Sequence, residues 1–275
     1  MIYFKNINIK IILLIISFFV FNNDLLATFT FDAGGRSNAT GNANASMIDL
    51  FALYHNQAAS AFLKERRIGF FSENKYITRE LQSFGLATTL PYKTGVFGLT
   101  LTRFGFSSFH QSLLGLSIAK KLSQTFALGI KINTMQSHIE GFTPKLIVYE
   151  ELSMLSNITE SITLGTQIVN ILRPSLSKTS PLQTTSIFKC GASYNQKEYS
   201  LFLTIYKDLH EAFNTKVGIE YLVLSSFAIR AGINTVPSQF FAGFGIQHEL
   251  LAIDFCISYL NDLGFSPSLS LHYVL

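Results

Sequence analysis

The residue types that most often do chemistry are sparse in this 275-residue chain and are not spaced for it. No two histidines stand at the short separation of a zinc-ligating pair, and no serine, histidine and acidic residue form a recognisable catalytic set. Cys190 and Cys256 form no disulfide framework, and we expect both thiols to be unpaired and inert. The histidines are His55, His110, His138, His210, His248 and His272. We therefore predict that the protein is not an enzyme and binds no metal or cofactor.

A second set of chemically interesting residues consists of charges that alternate with apolar side chains. In the stretch 126–133, Ile130 and Ile132 fall on one face of a strand, while Lys131 and Asn133 fall on the other. The charges that share this polar phase are Lys131, Lys189, Lys216, Glu220, Arg230 and Asp254. They either pair with one another and with water inside a barrel, or hold an inserted segment and line a solute path.

The elements that must position these charges are strands. From residue 67 to 275 the chain is a near-continuous series of two-residue alternations broken by tight turns, which is typical of a membrane-spanning barrel with an apolar outside and a polar lumen. We predict about fourteen strands, near 67–75, 79–90, 94–104, 109–121, 124–136, 145–155, 160–171, 184–195, 198–207, 213–224, 226–236, 238–248, 250–260 and 266–275. Adjacent carboxylates at Glu150 and Glu151 predict a bulge or an early end in the sixth strand.

Composition supports a barrel over a soluble domain. Hydrophobic residues make up 48% of the chain and charged residues only 14%, against roughly 25% charged in soluble domains. No apolar run after the N-terminus is long enough for a spanning helix, so a closed barrel is the remaining membrane solution. The net charge of +4 is too diffuse to indicate nucleic acid.

The N-terminus has the pattern of an export signal. Lys5 and Lys10 precede an apolar run of about eleven residues, and Ala27 is a small residue at a cleavage position. We predict a signal peptide at 1–27 and residence in the outer membrane of a Gram-negative bacterium, in contact with its lipid. A hydrophobic N-terminal anchor is the alternative.

The connections between strands give an independent indication of the same fold. In outer-membrane barrels the periplasmic turns are short and the outer loops longer. The odd-numbered connections are predicted to be the longer ones, for example 137–144 and 172–183, whereas 196–197 and 225–226 are tight. The first connection, near 76–78, looks too short for this pattern.

Residues 28–66 differ from the barrel sequence in being rich in small residues. Ser46 and Asp49 resemble a capping box, which predicts a short helix from Met47 to His55. The strings Asp32-Ala-Gly-Gly-Arg-Ser37, Gly41-Asn-Ala43 and Asn56-Gln-Ala58, with this helix between the last two, resemble the N-terminal signature of the PorV/PorQ group of FadL-like outer-membrane proteins.

The resemblance implies a fourteen-stranded barrel, residues 67–275, whose lumen is plugged by residues 28–66. Plug candidates are then Asp32, Arg36 and Asn56, with Arg36 directed to Glu220 or Asp254 because a buried guanidinium needs acceptors. Side chains of the helix are expected to pack against lumen residues; the expected partners are Ile48, Phe51 and Tyr54 against Phe202 and Phe241. The alternative is that residues 28–66 form a periplasmic linker.

Two functions remain open at this stage. One is passage of a hydrophobic or small solute across the outer membrane, as the FadL resemblance implies, with an apolar pocket between loops and plug. The other is a non-transporting barrel that binds partner proteins of a type IX secretion apparatus through its outer loops.

Overall fold

The structure, a computed structural model, describes residues 31–172, 185–209 and 211–275. Fourteen antiparallel strands pair in sequence order, and β1 closes the barrel on β14. The strands are β1 Arg67–Asn74, β2 Gln82–Tyr92, β3 Gly95–Gly105, β4 Phe109–Lys121, β5 Phe126–Ile139, β6 Lys145–Asn157, β7 Ile162–Val169, β8 Ile187–Asn195, β9 Tyr199–Asp208, β10 Asn214–Leu224, β11 Phe227–Thr235, β12 Ser238–His248, β13 Leu251–Leu260 and β14 Gly264–Val274. The predicted fold and strand number are confirmed; the predicted signal peptide lies outside the described residues.

The predicted phase of the strands is also correct. On β5, Ile130 and Ile132 point outward and are exposed, while Lys131 and Asn133 point inward and are buried. Cys190 lies on the outer face and Cys256 on the inner face, and both are free thiols. The result is a wall with an aliphatic and aromatic exterior and a polar interior, as expected of a barrel in a bilayer.

The two ends of the barrel differ. We call the end that carries the odd-numbered connections the loop end. The opposite end carries the even-numbered connections, the start of β1 and the end of β14, and we call it the terminal end. The first connection spans 75–81 and contains two short 3₁₀ turns, so the sequence-based expectation of a short link at 76–78 was wrong. Connections at the terminal end are as short as the two residues of 225–226. Two loop-end connections, 106–108 and 236–237, are also short.

The sixth strand shows no bulge at its adjacent carboxylates, contrary to the prediction. Its register with β5 is unbroken from Lys145 to Ser156. Glu151 points inward, where it pairs with one lysine and accepts hydrogen bonds from two amide side chains, as described below. Glu150 points outward beside the end of β7, and its carboxylate accepts a hydrogen bond from the Leu172 backbone N–H at 2.8 Å. Both charges are therefore accommodated without breaking the ladder.

The segment before the barrel consists of short helical turns. Helix α1 spans Gly35–Ala39, and two 3₁₀ helices follow at Leu50–Tyr54 and Gln57–Phe62. The predicted helix from Met47 to His55 is thus a shorter 3₁₀ turn, capped by Asp49 through the Ala52 N–H at 3.0 Å. Ser46 is not its cap. None of the helices in the described part of the chain is long and apolar enough to cross a membrane.

Candidate functional site

The N-terminal segment lies inside the barrel, packed against glycines of the wall. The Ala45 carbonyl lies where a side chain at Gly165 on β7 would extend, and the Thr40–Gly41 peptide does the same at Gly232 on β11. A β-carbon at either glycine would overlap this backbone, so glycine permits the close approach. The small residues of the segment and the glycines of the wall allow their backbones to pack closely together.

A three-residue ion cluster joins the start of this segment to the wall. The Asp32 carboxylate lies 3.5 Å from the Lys189 ammonium and 3.4 Å from that of Lys216. It also accepts a hydrogen bond from the Asn44 side chain at 3.2 Å. Burial alone would raise the pKa of Asp32, but Lys216 and Lys189 outweigh it and hold this pKa well below its usual value. Asp32 therefore stays ionised.

Arg36 forms the centre of a second cluster nearer the terminal end. Its guanidinium donates two hydrogen bonds to the Glu220 carboxylate, at 2.9 and 2.8 Å, and lies 3.5 Å from Asp49. Arg230 donates to the same Glu220 at 2.6 Å and to Asp254 at 2.7 Å. Burial would lower the pKa of Arg36, but Glu220 raises it above its ordinary value. Of the two predicted partners, Arg36 bonds Glu220, whereas Asp254 bonds Arg230.

A third network ties the 3₁₀ turns to β5, β6 and β7. The Lys131 ammonium donates to the Leu53 carbonyl at 2.9 Å and lies 3.7 Å from Glu151. The other bonds to the Glu151 carboxylate come from Asn133 at 2.6 Å and Gln167 at 2.8 Å. Lys131 is thus held by both the segment and the wall.

Amide side chains extend this contact. Asn56 donates to the Ala45 carbonyl within the segment and, at 3.1 Å, to the Met154 carbonyl on β6. Gln57, which stands where the PorV/PorQ signature has proline, donates to the Glu151 carbonyl at 3.0 Å. Each amide thus bonds backbone carbonyls of the wall or the segment that are buried or partly buried.

His55 is the least satisfied polar group in the segment. It is fully buried, and neither ring nitrogen has a hydrogen-bond partner among the described residues. Burial lowers its pKa to about 4, so the imidazole is neutral at pH 7. A protonated His55 is compatible with this packing only at a free-energy cost.

The first 3₁₀ turn packs against a different part of the wall from the one predicted. Phe51 contacts Phe71 and His272 edge-on, with ring centroids 6.5 and 6.4 Å away. The Tyr54 hydroxyl lies 2.9 Å from the carbonyls of Leu86 and Leu101. Ile48, just before this turn, packs against a cluster formed by three alanines of the segment and Leu155 of β6. The expected wall partners contact other parts of the segment: Phe202 packs with Ala43 and Met47, and Phe241 packs with Ala39.

The structure brings the predicted candidates into these three networks and adds residues that sequence reasoning missed. The clusters contain Asp32, Lys189 and Lys216; Arg36, Glu220, Arg230 and Asp254; and Lys131 with, close by, Asn56. Missed were Asp49, His55, Gln57 and Glu151. Glu151 had a usable signal, since it shares the inward phase of Ser153. Asp49, His55 and Gln57 lie at the ends of short 3₁₀ turns, which have no sustained periodicity to mark them.

Two cavities remain on either side of the segment. The loop-end cavity has a volume of about 410 Å³, and the terminal-end cavity, beside the Arg36 cluster, about 320 Å³. The loop-end cavity is bounded by the first, ninth and eleventh connections, through Tyr76, Glu211 and Pro237. Its wall mixes aromatic rings with amide and charged side chains, so it is more polar than the apolar pocket expected from the sequence. Among the described residues, no group of three or more histidine, cysteine or acidic side chains is placed to hold a metal ion.

Comparison with known proteins identifies the fold. No protein-family model and no curated protein matches the chain. Among solved structures, the CymD monoaromatic hydrocarbon channel is similar with a TM-score of 0.67 and 10% identity, over 90% of this chain and 99% of that one. The Ralstonia pickettii toluene transporter TbuX gives 0.65 and 12%, over 90% and 98%. A Pseudomonas aeruginosa FadL homologue gives 0.59 and 14%, over 90% and 99%. At these identities the likeness shows a shared fold, that of a FadL-like barrel.

Proposed function

We propose that this protein is an outer-membrane barrel that admits a small, largely hydrophobic solute through a lumen closed by its N-terminal segment. The observation that carries the proposal is the loop-end cavity, which lies directly above the inserted segment in a FadL-like barrel. Five aromatic side chains line this concave site among its amide and charged groups, and aromatic walls with placed polar groups are a usual form of a small-molecule site. The similar structures include a monoaromatic hydrocarbon channel and a toluene transporter, which supports this substrate class.

The exterior of the barrel supports its placement in a bilayer. Exposed aliphatic and aromatic side chains occur on all fourteen strands, and the sheet closes on itself because β1 pairs with β14. A surface of this kind is stable in lipid and would aggregate in water.

Three finer parts of the proposal rest on the sequence. They are cleavage of residues 1–27, assignment of 28–66 as a plug segment of the PorV/PorQ type, and the barrel boundary at residue 67. The buried contacts of Asp32, Arg36 and Asn56 with the wall support the second. The similar structures lend no support to a secretion-apparatus role, and we do not propose one.

Uptake in cells tests the proposed function. Cells that express the protein should accumulate toluene faster than cells without it. Ser83 is buried and lines the loop-end cavity, so Ser83→Trp should fill that space and abolish the gain. Ser112 lies on the outer face two strands away, so Ser112→Trp is the matched control and should retain uptake. Equal uptake by cells with and without the protein would overturn the proposal.

A further inference from the structure

One inward-facing row of side chains crosses the first four strands at the level of the loop-end cavity. The register places Glu73 on β1 opposite Ser83, Ser83 opposite Phe104, and Phe104 opposite Gln111 on β4. All four residues line the cavity. Because neighbouring strands lie about 4.8 Å apart, this row is roughly 14 Å long, which is long enough for a ring and its substituents.

The middle of the row is aromatic. The Phe104 ring faces Phe31 of the inserted segment, with centroids 6.2 Å apart, and Phe109 lies behind it at 6.3 Å. Phe241 and Tyr206 also line the cavity. Rings at such separations accept a further aromatic ring by offset or edge contact.

The two ends of the row are polar and unoccupied by protein partners. Gln111 is only 7% exposed, and neither it nor the Glu73 carboxylate has a hydrogen bond or an ion pair among the described residues. A hydrocarbon without polar groups would displace water from both side chains without forming a hydrogen bond to either, which is costly for buried polar groups. A hydroxyl group on the solute replaces the water at one end of the row, since Gln111 and Glu73 can each accept from an O–H donor.

The charges of the cavity favour this neutral donor over a carboxylate. Lys189 and Lys216, the buried cations nearby, share the single carboxylate of Asp32. Glu73 and Glu211 add two further carboxylates to the lining. The remaining lysine of the lining, Lys75, is exposed at the rim. An anionic solute would also face the unpaired Glu73.

We propose that the loop-end cavity selects small aromatic solutes that carry a hydroxyl group over the corresponding hydrocarbons. This inference rests on the proposed function and narrows its substrate class. A site built to hydrogen-bond a hydroxyl discriminates strongly against the analogue that lacks it.

Toluene and p-cresol form the matched test pair, because they differ by one hydroxyl group. Calorimetry on the detergent-solubilised full-length protein should show p-cresol binding on the order of tenfold more tightly than toluene. Gln111→Leu should remove most of that preference, whereas Gln136→Leu, on the outer face of β5, should keep it. Glu73→Leu removes the acceptor at the other end of the row, and it should narrow the preference if Gln111→Leu does not assemble.

The outcomes separate this inference from the proposed function. Equal affinity for the two solutes, or no binding of p-cresol, overturns the inference, and toluene uptake in cells then decides the proposed function alone. Preferential binding of p-cresol that is lost in Gln111→Leu supports the site. If cells in that case take up neither solute, the site stands and the transport proposal fails.

Discussion

At the scale of single residues, Arg36 links the inserted segment directly to the wall. It bonds Glu220 with two hydrogen bonds and lies near Asp49. Its side chain is 25% exposed, so solvent screens the pair, and we expect Arg36→Ala to weaken the docked segment by about 1–3 kcal/mol. The wall should remain folded because Arg230 still bonds both Glu220 and Asp254 and the hydrogen bonds between the strands do not involve Arg36. Planar-bilayer recordings should show more frequent opening than for Arg79→Ala, a control in the first connection, and equal recordings for the two variants would deny Arg36 this role.

Because of His55, we expect the contact between the inserted segment and the wall to depend on pH. Burial lowers its pKa to about 4, below the ordinary 6.5 that it regains when the segment leaves the lumen. The displaced state therefore binds the proton more readily. Its population should rise by up to about tenfold per pH unit as pH falls from 6.5 towards 4. Asp32 remains ionised across this window because its pKa is already well below it.

The measurement is bilayer conductance between pH 7 and 4.5. We expect it to rise for the wild type and to change much less for His55→Asn, which has no imidazole to titrate. A wild-type conductance that stays flat, or a His55→Asn variant with the same rise, would assign the acid response to other groups.

At the scale of elements, the alternation of each strand determines which substitutions the wall tolerates. Ile130 lies well inside β5 on the outer face, and His138, the last residue but one of the same strand, lies on the same face. A lysine near mid-bilayer costs about 2–4 kcal/mol, whereas one near the interface costs roughly 0–1 kcal/mol. Ile130→Lys should therefore reduce the heat-modifiable, folded fraction on gels, and His138→Lys should not. Similar losses in both variants would mean that this face does not meet lipid.

Strands were predictable from the sequence because their signal is local. Alternation with period two gave fourteen strands and the correct faces, including Lys131 inward and Ile130 outward. The elements of the inserted segment were not predictable to the same degree. Its 3₁₀ turns carry no sustained periodicity, and Asp49 rather than Ser46 caps the first of them because the wall, not local propensity, sets the path of the backbone.

Which residues come together in the site could not be predicted from the sequence, because the closed barrel brings them together. Arg36 and Glu220 are 184 residues apart, and the sequence indicates charge complementarity between them but no distance. The row from Glu73 to Gln111 exists only through the register of four strands. The polar character of the loop-end cavity was missed for that reason, since each of its residues looks unremarkable on its own strand.

At the scale of the whole molecule, the stability of the wall does not depend on the inserted segment. The hydrogen bonds of the wall run between neighbouring strands and close on themselves. The segment contributes ion pairs, amide bonds and close packing to the inner face, but it supplies no strand. We therefore expect the wall to form without the segment and to enclose a wide, water-filled lumen, since a barrel of fourteen strands is too wide for its own side chains to fill.

The most direct test of this account is the conductance of a barrel that lacks residues 33–60. This deletion removes Arg36, Asp49, His55 and Asn56 together with both close approaches to the wall glycines. We predict a protein that still shows heat-modifiable migration and conducts several-fold more than the full chain in planar bilayers. A folded deletion variant with the conductance of the full chain would contradict the claim that this segment closes the lumen.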